Sequence, residues 1–204
     1  PVARLDSGEV GVRLRHPRWG SLSAAAFATY LPNEILFDHL RARYLSTGAT
    51  RRLGGELVAT LRPTPVADLT LQLSYADGRY RASGDPIPYA PRWLASLGTS
   101  TTDRPVGRSL WTLGAWLRLI GPRPLPDGFR AATTATAAVT LHIRASAWSL
   151  DLDLDNALFL PWRDGQFVFP SWWDRDTPRS ELPVAHYTAG APPALRAAVS
   201  RRFR

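Results

Sequence analysis

The sequence predicts an α+β protein, in which two or three helices pack on a curved antiparallel sheet. The alternative is that this sheet forms a partly closed barrel. Three observations predict this class. The second half of the chain alternates apolar and polar residues with the period of strands. Several other segments place apolar residues at helical spacing. No glycine-rich turn follows a strand, which argues against a parallel doubly wound fold.

The N-terminal quarter predicts one strand and one clear helix. Residues 9–15 alternate apolar and polar side chains and predict the first strand. The alanine-rich residues 22–30 fit a strand or a helix, and the alanines favour a helix. Residues 32–48 predict a helix that Pro32 opens and Gly48 ends, because the apolar residues between them share one helical face.

The next segment predicts strands. Residues 56–62 form a strand, and residues 68–75 form another because every second residue is apolar. A turn at 76–78 contains Asp77-Gly78, so residues 79–83 are predicted to return as the partner strand of a hairpin. The connector at 84–109 is irregular.

Two longer helices and one short helix complete the helical predictions. Residues 91–97 predict a short helix inside the first connector. Residues 108–120 predict an amphipathic helix, because its leucines recur at helical spacing before Gly-Pro ends it. A second irregular connector follows at 121–129. Residues 194–203 predict a terminal helix, and the whole chain, 1–204, is predicted to be a single domain.

A hairpin between residues 137–147 and 150–154 is the best supported part of the predicted sheet. The apolar positions change phase between these segments, which indicates a bulge or a hairpin turn. One antiparallel register pairs apolar residues on one face and places His142 opposite Asp153 on the other. We therefore favour the hairpin over the bulge.

Composition excludes several kinds of chemistry. The chain has no Cys, which excludes thiol nucleophiles, disulfides and iron–sulfur clusters. All 25 basic side chains are Arg, so lysine-based Schiff bases and phosphate loops are also excluded. The formal net charge of +8 fits either a compositional bias of the genome or an anionic partner.

An aromatic loop and the C-terminus supply the candidate binding residues. Tryptophans beside arginines on a loop can stack on bases and hold phosphates. The chain is therefore predicted to be a non-catalytic binding or assembly domain, with an Arg-rich surface for nucleic acid or for a protein complex. The binding residues in this hypothesis are Trp172, Trp173, Arg175, Arg179, Arg201 and Arg202.

The alternative is a β-rich protein that binds a small molecule in a Trp-lined apolar pocket. In an enzymatic version, His142 and Asp153 give acid–base assistance. Whether the chain is an enzyme stays open. The absence of a catalytic motif favours a protein that is not an enzyme. Asp151, Asp153 and Asp155 share one face of a strand, and a solvated face explains them better than a metal site. No metal and no cofactor is predicted.

No apolar run reaches the roughly 18 residues of a membrane-spanning helix, so no transmembrane segment is predicted in the chain. A cytoplasmic location is favoured on this basis. Because the chain does not begin with Met, a secreted or anchored location stays open.

Overall fold

The described part of the chain is built almost entirely from strands. The structure, a computed structural model, describes residues 4–38, 43–172, 176 and 181–203. These residues contain one 3-10 turn at Pro126–Gly128 and no α-helix. Within them, no helix has the length and apolar character needed to cross a bilayer. The strands are β1 (Asp6–His16), β2 (Gly20–Leu31), β3 (Ile35–Asp38), β4 (Arg43–Ser46), β5 (Thr50–Thr64), β6 (Ala67–Tyr80), β7 (Trp93–Thr101), β8 (Arg104–Val106), β9 (Ser109–Ile120), β10 (Arg123–Pro124), β11 (Arg130–Ala131), β12 (Thr134–Ala145), β13 (Trp148–Asp155), β14 (Arg163–Pro170), β15 (Pro183–Ala189) and β16 (Ala194–Arg201).

One 10-stranded antiparallel sheet dominates the structure. Its order is β1-β2-β5-β6-β7-β9-β12-β13-β16, and β8 pairs with β9 beside β7. Each strand therefore pairs with the next long strand along the chain, which is an up-and-down arrangement. The remaining strands form three two-stranded sheets, β3-β4, β10-β11 and β14-β15, inside the connections.

The connections differ in length at the two ends of the sheet. At one end, here the short-turn end, residues 17–19, 65–66, 102–108 and 146–147 join neighbouring strands. At the other end, the long-loop end, the connections are residues 32–49, 81–92, 121–133 and 156–193. The long connections carry the small two-stranded sheets and so hold most of the irregular structure.

One face of the sheet is apolar and exposed. Leu97 of β7 lies directly opposite Leu71 of β6 and Leu117 of β9, and the same face continues across the neighbouring strands. These side chains are not covered: Val10 is 74% exposed and Leu195 is 69% exposed. We call this surface the apolar face. Its large exposed members include Val10, Val12, Leu14, Leu53, Leu71, Leu73, Leu97, Leu113, Leu195 and Val199.

The other face is polar and concave. Most alternate residues of the same strands are Ser, Thr, Gln, Arg, Asp or Glu, as where Glu56 of β5 lies opposite Ser74 of β6. A cavity of about 540 Å³ on this face is lined by residues from β5, β6, β7, β9 and β12. Five neighbouring strands can line one cavity only if the sheet curves toward it. We call this surface the concave face.

The described residues have no layered hydrophobic core. Only five of their apolar residues are buried, namely Ala59, Ile87, Leu125, Ala131 and Val168. Three of these, Leu125, Ala131 and Val168, form one small cluster with Tyr89 among the long-loop connections. The predicted α+β fold with packed helices is therefore wrong, because in the described ranges no helix packs on the sheet and neither face is covered as a layered core requires.

The predicted helices are strands wherever the structure describes them. Residues 108–120 form β9, residues 194–203 contain β16, and residues 91–97 contribute to β7. Residues 22–30 lie in β2, and the segment from 32 to 48 contains the hairpin β3-β4, with 39–42 outside the described residues. In β9 the apolar Leu110, Trp116 and Ile120 lie on the concave face. They stand at positions that a strict alternation would make polar, so the apolar residues of β9 appear to recur at helical spacing.

The predicted hairpins are partly correct. β12 and β13 pair antiparallel, but Ala145 lies opposite Trp148, so the register is shifted by two residues and His142 lies opposite Asp151. The turn is the two-residue Ser146-Ala147, in which Ser146 takes a φ of 51°, instead of a four-residue loop. The turn predicted at 76–78 is wrong because β6 continues straight through it to Tyr80.

A close contact between β7 and β9 predicts a position-specific effect on stability. Gly98 lies opposite Trp116, whose ring occupies the space of a Cβ, whereas a Cβ on Gly8 would meet nothing within 4 Å. We expect Gly98→Ala to lower the free energy of unfolding by about 1–3 kcal/mol through overpacking. Denaturant unfolding followed by tryptophan fluorescence measures this. Gly8→Ala is the control, and an equal effect of the two variants would contradict the contact.

Candidate functional site

The cavity on the concave face is the candidate site that the strands of the large sheet build. Residues of β5, β6, β7, β9 and β12 form its floor, and Trp162 and Asp164 reach it from the long connection 156–193. A larger cavity of about 730 Å³ lies among the connections at the long-loop end. The cavity on the concave face has a volume of about 540 Å³, which is within the usual range for small-molecule sites. The polar side chains at this site are Glu56, Gln72, Ser74, Ser96, Arg118, Thr134, Thr136 and Asp164.

Hydrogen bonds fix the connection that closes this cavity. The indole Nε1 of Trp162 donates to the carbonyl of Ala191 at 3.1 Å, and the ring lies against Gly190, where a side chain would overlap it. The backbone N–H of Ala132 donates to Oε1 of the buried Gln166 at 3.2 Å. Tyr89 and Phe167 pack with ring centroids 6.0 Å apart. The connections at the long-loop end thus form one packed cap.

Arg118 is the cation among the charged side chains that line the cavity, which also include the acids Glu56 and Asp164. None of these three forms an ion pair with a residue that the structure describes, and Arg118 also lines a second, smaller cavity of about 230 Å³ with Trp116 and Trp162. Two other arginines of the concave face are paired: Arg62 lies 3.2 Å from Asp68 and Arg196 lies 2.7 Å from Asp155. The charged side chains of the cavity therefore sum to −1, and Arg118 and Trp162 offer a ligand one cation and one flat ring.

A row of polar contacts crosses the concave face near the short-turn end. Asp103 accepts a hydrogen bond from the Thr112 hydroxyl at 2.7 Å and pairs with Arg144. The Thr112 hydrogen bond, together with the charge of Arg144, lowers the pKa of Asp103 below its ordinary value. Beside them, His142 Nδ1 contacts Asp151. Each of these polar side chains thus has a partner within the row.

A buried carboxylate anchors the first long connection. Glu34 is 7% exposed, and its carboxylate accepts hydrogen bonds from Thr50 of β5 and from Arg52. Its backbone N–H donates to Gly48 at 2.9 Å, and its carbonyl accepts from Thr47 at 2.8 Å. One residue therefore ties both ends of the segment 34–48 to the sheet.

The structure separates the predicted acid–base pair. His142 contacts Asp151, while Asp153 lies opposite Thr140 and Arg196. Neither His142 nor Asp153 lines the cavity under Trp162. The carboxylates of Asp151, Asp153 and Asp155 do share one face, as the alternation predicts. Within the described ranges no three His or acidic side chains are close enough to hold a metal ion.

The predicted binding residues lie at different ends of the sheet or outside the described residues. Trp172 belongs to the connection that leaves from the long-loop end and is 54% exposed. Arg201 and Arg202 follow at the short-turn end, where Arg201 lies over the ring of Trp148 at 5.2 Å. Trp173, Arg175 and Arg179 lie outside the described residues, so their positions stay predictions.

Three residues of this site were not identified from the sequence. Arg118 and Glu34 fall there within the predicted helices 108–120 and 32–48, and no prediction covers Trp162. The sequence did contain a signal for Arg118, because it stands between Leu117 and Leu119 at a position that the alternation of a strand makes polar. No sequence signal points to Trp162, because its position depends on contacts made within a long loop.

Aromatic residues border the apolar face at both ends. Tyr75 lies directly opposite Trp93 near the long-loop end, and Tyr30 lies on the same face. Near the short-turn end, Trp111 of β9 and Trp148 of β13 occupy the same face. The exposed aliphatic residues are therefore enclosed between two aromatic rows.

The anchoring role of Glu34 predicts the behaviour of the first long connection. We expect Glu34→Ala to destabilise this connection by about 1–3 kcal/mol, because the half-buried Arg52 and the buried Thr50 lose their acceptor. Limited proteolysis within residues 32–49 should become faster, and Glu34→Gln, which keeps an acceptor, should fall between the two. Cleavage at the wild-type rate in both variants would contradict this role.

Comparison with known proteins identifies the architecture. Residues 4–157 match the family model described as TonB dependent receptor-like, beta-barrel. This match covers three quarters of the chain. No curated protein matches the chain.

Solved structures of similar fold are uptake proteins. The ferric yersiniabactin uptake receptor FyuA from Yersinia pestis matches with a TM-score of 0.76 and 18% identity, over 99% of this chain and 30% of that one. The ferric-catecholate import receptor Fiu from E. coli K12 matches with a TM-score of 0.70 and 18% identity, over 98% of this chain and 28% of that one. The copper transporter OprC matches with a TM-score of 0.64 and 16% identity, over 78% of this chain and 26% of that one. The chain thus spans less than a third of the length of these structures.

These matches correct several predictions. The predictions of a basic α+β protein that binds nucleic acid and of a cytoplasmic location are wrong, because receptors of the matching family are outer-membrane β-barrels. The prediction of no transmembrane segment considered only unbroken apolar runs, which an alternating strand does not need, and it is not supported. A small-molecule ligand is consistent with the family. The chain belongs to the TonB-dependent receptor-like β-barrel family.

Proposed function

We propose that the chain forms part of the wall of an outer-membrane β-barrel that takes up a small metal-binding solute. The observation that carries this proposal is the unequal sheet, with an exposed apolar face bounded by aromatic rows and a polar concave face behind it. Transmembrane barrels alternate in this way because lipid contacts one side of each strand and the aqueous lumen contacts the other.

The size of the apolar band supports this placement. From Trp111 to Gly121, which hydrogen-bonds to Trp93 at 2.9 Å, β9 and its end cover ten residue steps. At about 3.3 Å per residue and a tilt of about 45°, this length crosses about 23 Å. The apolar band of outer-membrane barrels is about 25 Å tall.

The connection lengths support an orientation. Barrels of this class have short turns on the periplasmic side and long loops on the outer side. The long-loop end, with its packed cap and its cavity under Trp162, would then face the outside. A solute that arrives from outside would meet this cavity first.

The cavity supports a partly flat solute with charged groups. Arg118 offers a charge without an ion-pair partner among the described residues, and Trp162 offers a fixed aromatic surface. The structural neighbours are named as an uptake receptor for ferric yersiniabactin, an import receptor for ferric catecholates and a copper transporter. An ionised oxygen ligand of a ferric chelate can contact Arg118 and a flat ring can lie on Trp162, while Glu56 and Asp164 disfavour a large net negative charge, so we propose ferric chelates as the class of solute.

Opposite faces of β7 predict opposite responses to a charge. Leu97 lies in the middle of the apolar face, and the adjacent Ser96 lies on the concave face. We expect Leu97→Arg to destabilise the membrane-inserted state by about 2–4 kcal/mol, whereas Ser96→Glu, which places its charge opposite Arg118, should change it by less than about 1 kcal/mol. Folding into lipid vesicles, followed by heat-modifiable gel mobility, measures this. Equal tolerance of the two variants would contradict the membrane placement.

Uptake in the producing cell tests the transport proposal. We expect loss of the gene to reduce accumulation of iron-55 supplied as a ferric catecholate. We expect Arg118→Ala to raise the half-saturating concentration about tenfold, as for removal of one partner of a charged contact. Arg13→Ala, which removes an arginine of the concave face outside the cavity, is the control. Unchanged accumulation of both ferric and copper chelates without the gene would contradict the proposal.

A further inference from the structure

A second cavity on the concave face lies between β9, β12, the end of β13 and the long connection 156–193. It has a volume of about 230 Å³ and shares Arg118 and Trp162 with the cavity of about 540 Å³. We call it the small cavity. A cavity of about 150 Å³ can hold a benzene molecule, so the small cavity has room for one aromatic ring with one or two small substituents.

The pairing of three strands forms the floor and two walls of the small cavity. Ala138 of β12 lies opposite Trp116 of β9 on one side and opposite Asp155 of β13 on the other. All three residues line the small cavity, and Trp162 borders it from the long connection. The space exists because the methyl group of Ala138 stands between two larger side chains.

Two tryptophan rings are fixed at the small cavity. The ring of Trp116 lies against Gly98, where it occupies the space of a Cβ. The ring of Trp162 is held by its hydrogen bond to the Ala191 carbonyl at 3.1 Å and by its contact with Gly190. Rings that are already in place lose little freedom when a ligand binds. Two such surfaces suit a flat aromatic ligand.

A buried hydrogen-bond acceptor lies at the end of the small cavity. Asn156 lines the cavity and is 7% exposed. Its Nδ2 donates to the carbonyls of Leu160 at 3.1 Å and Ala191 at 3.4 Å, and these two acceptors fix which way the amide is turned. Its Oδ1 is buried and has no hydrogen-bond partner among the described residues. A ligand that donates an O–H or N–H to this oxygen removes the cost of an unpaired buried acceptor.

The small cavity carries a positive charge. Its charged lining residues in the described ranges are Arg118 and Asp155, and Asp155 is compensated by Arg196 at 2.7 Å. Arg118 has no ion-pair partner among the described residues. Glu56 and Asp164, which oppose Arg118 in the larger cavity, are not among the described residues that line this one. A single carboxylate suits this charge, because it forms paired hydrogen bonds with a guanidinium.

A neighbouring cavity of about 350 Å³ borders the same asparagine and the same tryptophan. Its other described lining residues are Phe, Leu, Pro, Ala and Gly, without a charged side chain. It offers no partner for the charge of an acid. The small cavity therefore combines an aromatic surface, a cation and an unpaired acceptor, and its neighbour lacks the cation.

We propose that the small cavity binds a monocyclic aromatic acid that carries a hydroxyl group on its ring. The carboxylate pairs with Arg118, the ring lies between Trp116 and Trp162, and the hydroxyl donates to Oδ1 of Asn156. Arg118 lies on β9 and Asn156 directly follows β13, so the ligand spans the width of β12 between them. This site does not depend on the membrane placement or on the ferric chelate proposed above.

The first test compares ligands on the unaltered full chain in non-ionic detergent. The probes are meta- and para-hydroxybenzoate. Benzoate lacks the hydroxyl and para-hydroxybenzyl alcohol lacks the charge. Ligand-observed NMR titration measures the dissociation constants. We expect one hydroxybenzoate to bind at least about threefold more tightly than benzoate and about tenfold more tightly than the alcohol. Failure of both hydroxybenzoates to bind, or to bind more tightly than benzoate, would overturn the proposal.

The second test fills the small cavity from its floor. Ala138→Leu adds volume inside the cavity, and Ala198→Leu, on the same face of β16 but outside the cavity, is the matched control. We expect Ala138→Leu to weaken hydroxybenzoate binding at least about tenfold and Ala198→Leu to change it less than about twofold. Equal affinity in Ala138→Leu and the unaltered chain, or equal losses in both variants, would overturn the proposal.

A charge variant keeps the proposal testable if Ala138→Leu does not fold. We expect Arg118→Gln to weaken hydroxybenzoate binding about tenfold and to leave binding of the uncharged alcohol within about twofold. Arg13→Gln removes an arginine of the concave face outside the cavity and should change neither. An equal effect of Arg118→Gln on the acid and the alcohol, or unchanged binding of the acid, would overturn the assigned contact.

Discussion

The structure depends on a sheet that meets two requirements together. Its backbone polar groups must be hydrogen-bonded, and its apolar side chains must face an apolar surrounding. Every strand of the sheet pairs its backbone with its neighbours, so the polar groups of the main chain are hydrogen-bonded within the sheet except at its edges. The alternating side chains then leave one face that is mainly apolar and that the described residues do not cover. Such a face is stable only against an apolar surrounding, and lipid supplies one.

The polar face follows from the same alternation, and it has two regions with different roles. Near the short-turn end, Asp103 pairs with Arg144, and His142 contacts Asp151. Toward the long-loop end, Arg118, Glu56 and Asp164 line the cavity that Trp162 borders, and none of the three forms an ion pair within the described residues. This contrast supports the second region as the proposed place for a ligand.

Much of the sheet could be predicted from the sequence, and the predictions that were wrong failed for physical reasons. The alternation of 9–15, 68–75 and 137–154 correctly predicted strands, and the hairpin of β12 and β13 was predicted with a shifted register. The helices were wrong because leucines and alanines occur on both faces of β9 and β16, which imitates a helical period. The described strands also lack a layered core, so the assumption that exposed positions are polar fails for them. Trp162 could not be predicted, since its place is set by Ala191 and Gly190 in a long loop.

Lipid is proposed to cover the apolar face, and β6 allows this coverage to be measured directly. The chain has no Cys, so a single cysteine at each position from 69 to 75 gives one unique site for a spin label. Accessibility to oxygen, which concentrates in lipid, should be high at Leu69, Leu71 and Leu73 and low at Thr70, Gln72 and Ser74, with the opposite pattern for a water-soluble nickel complex. A uniform profile, or higher nickel access at the leucines, would contradict the account.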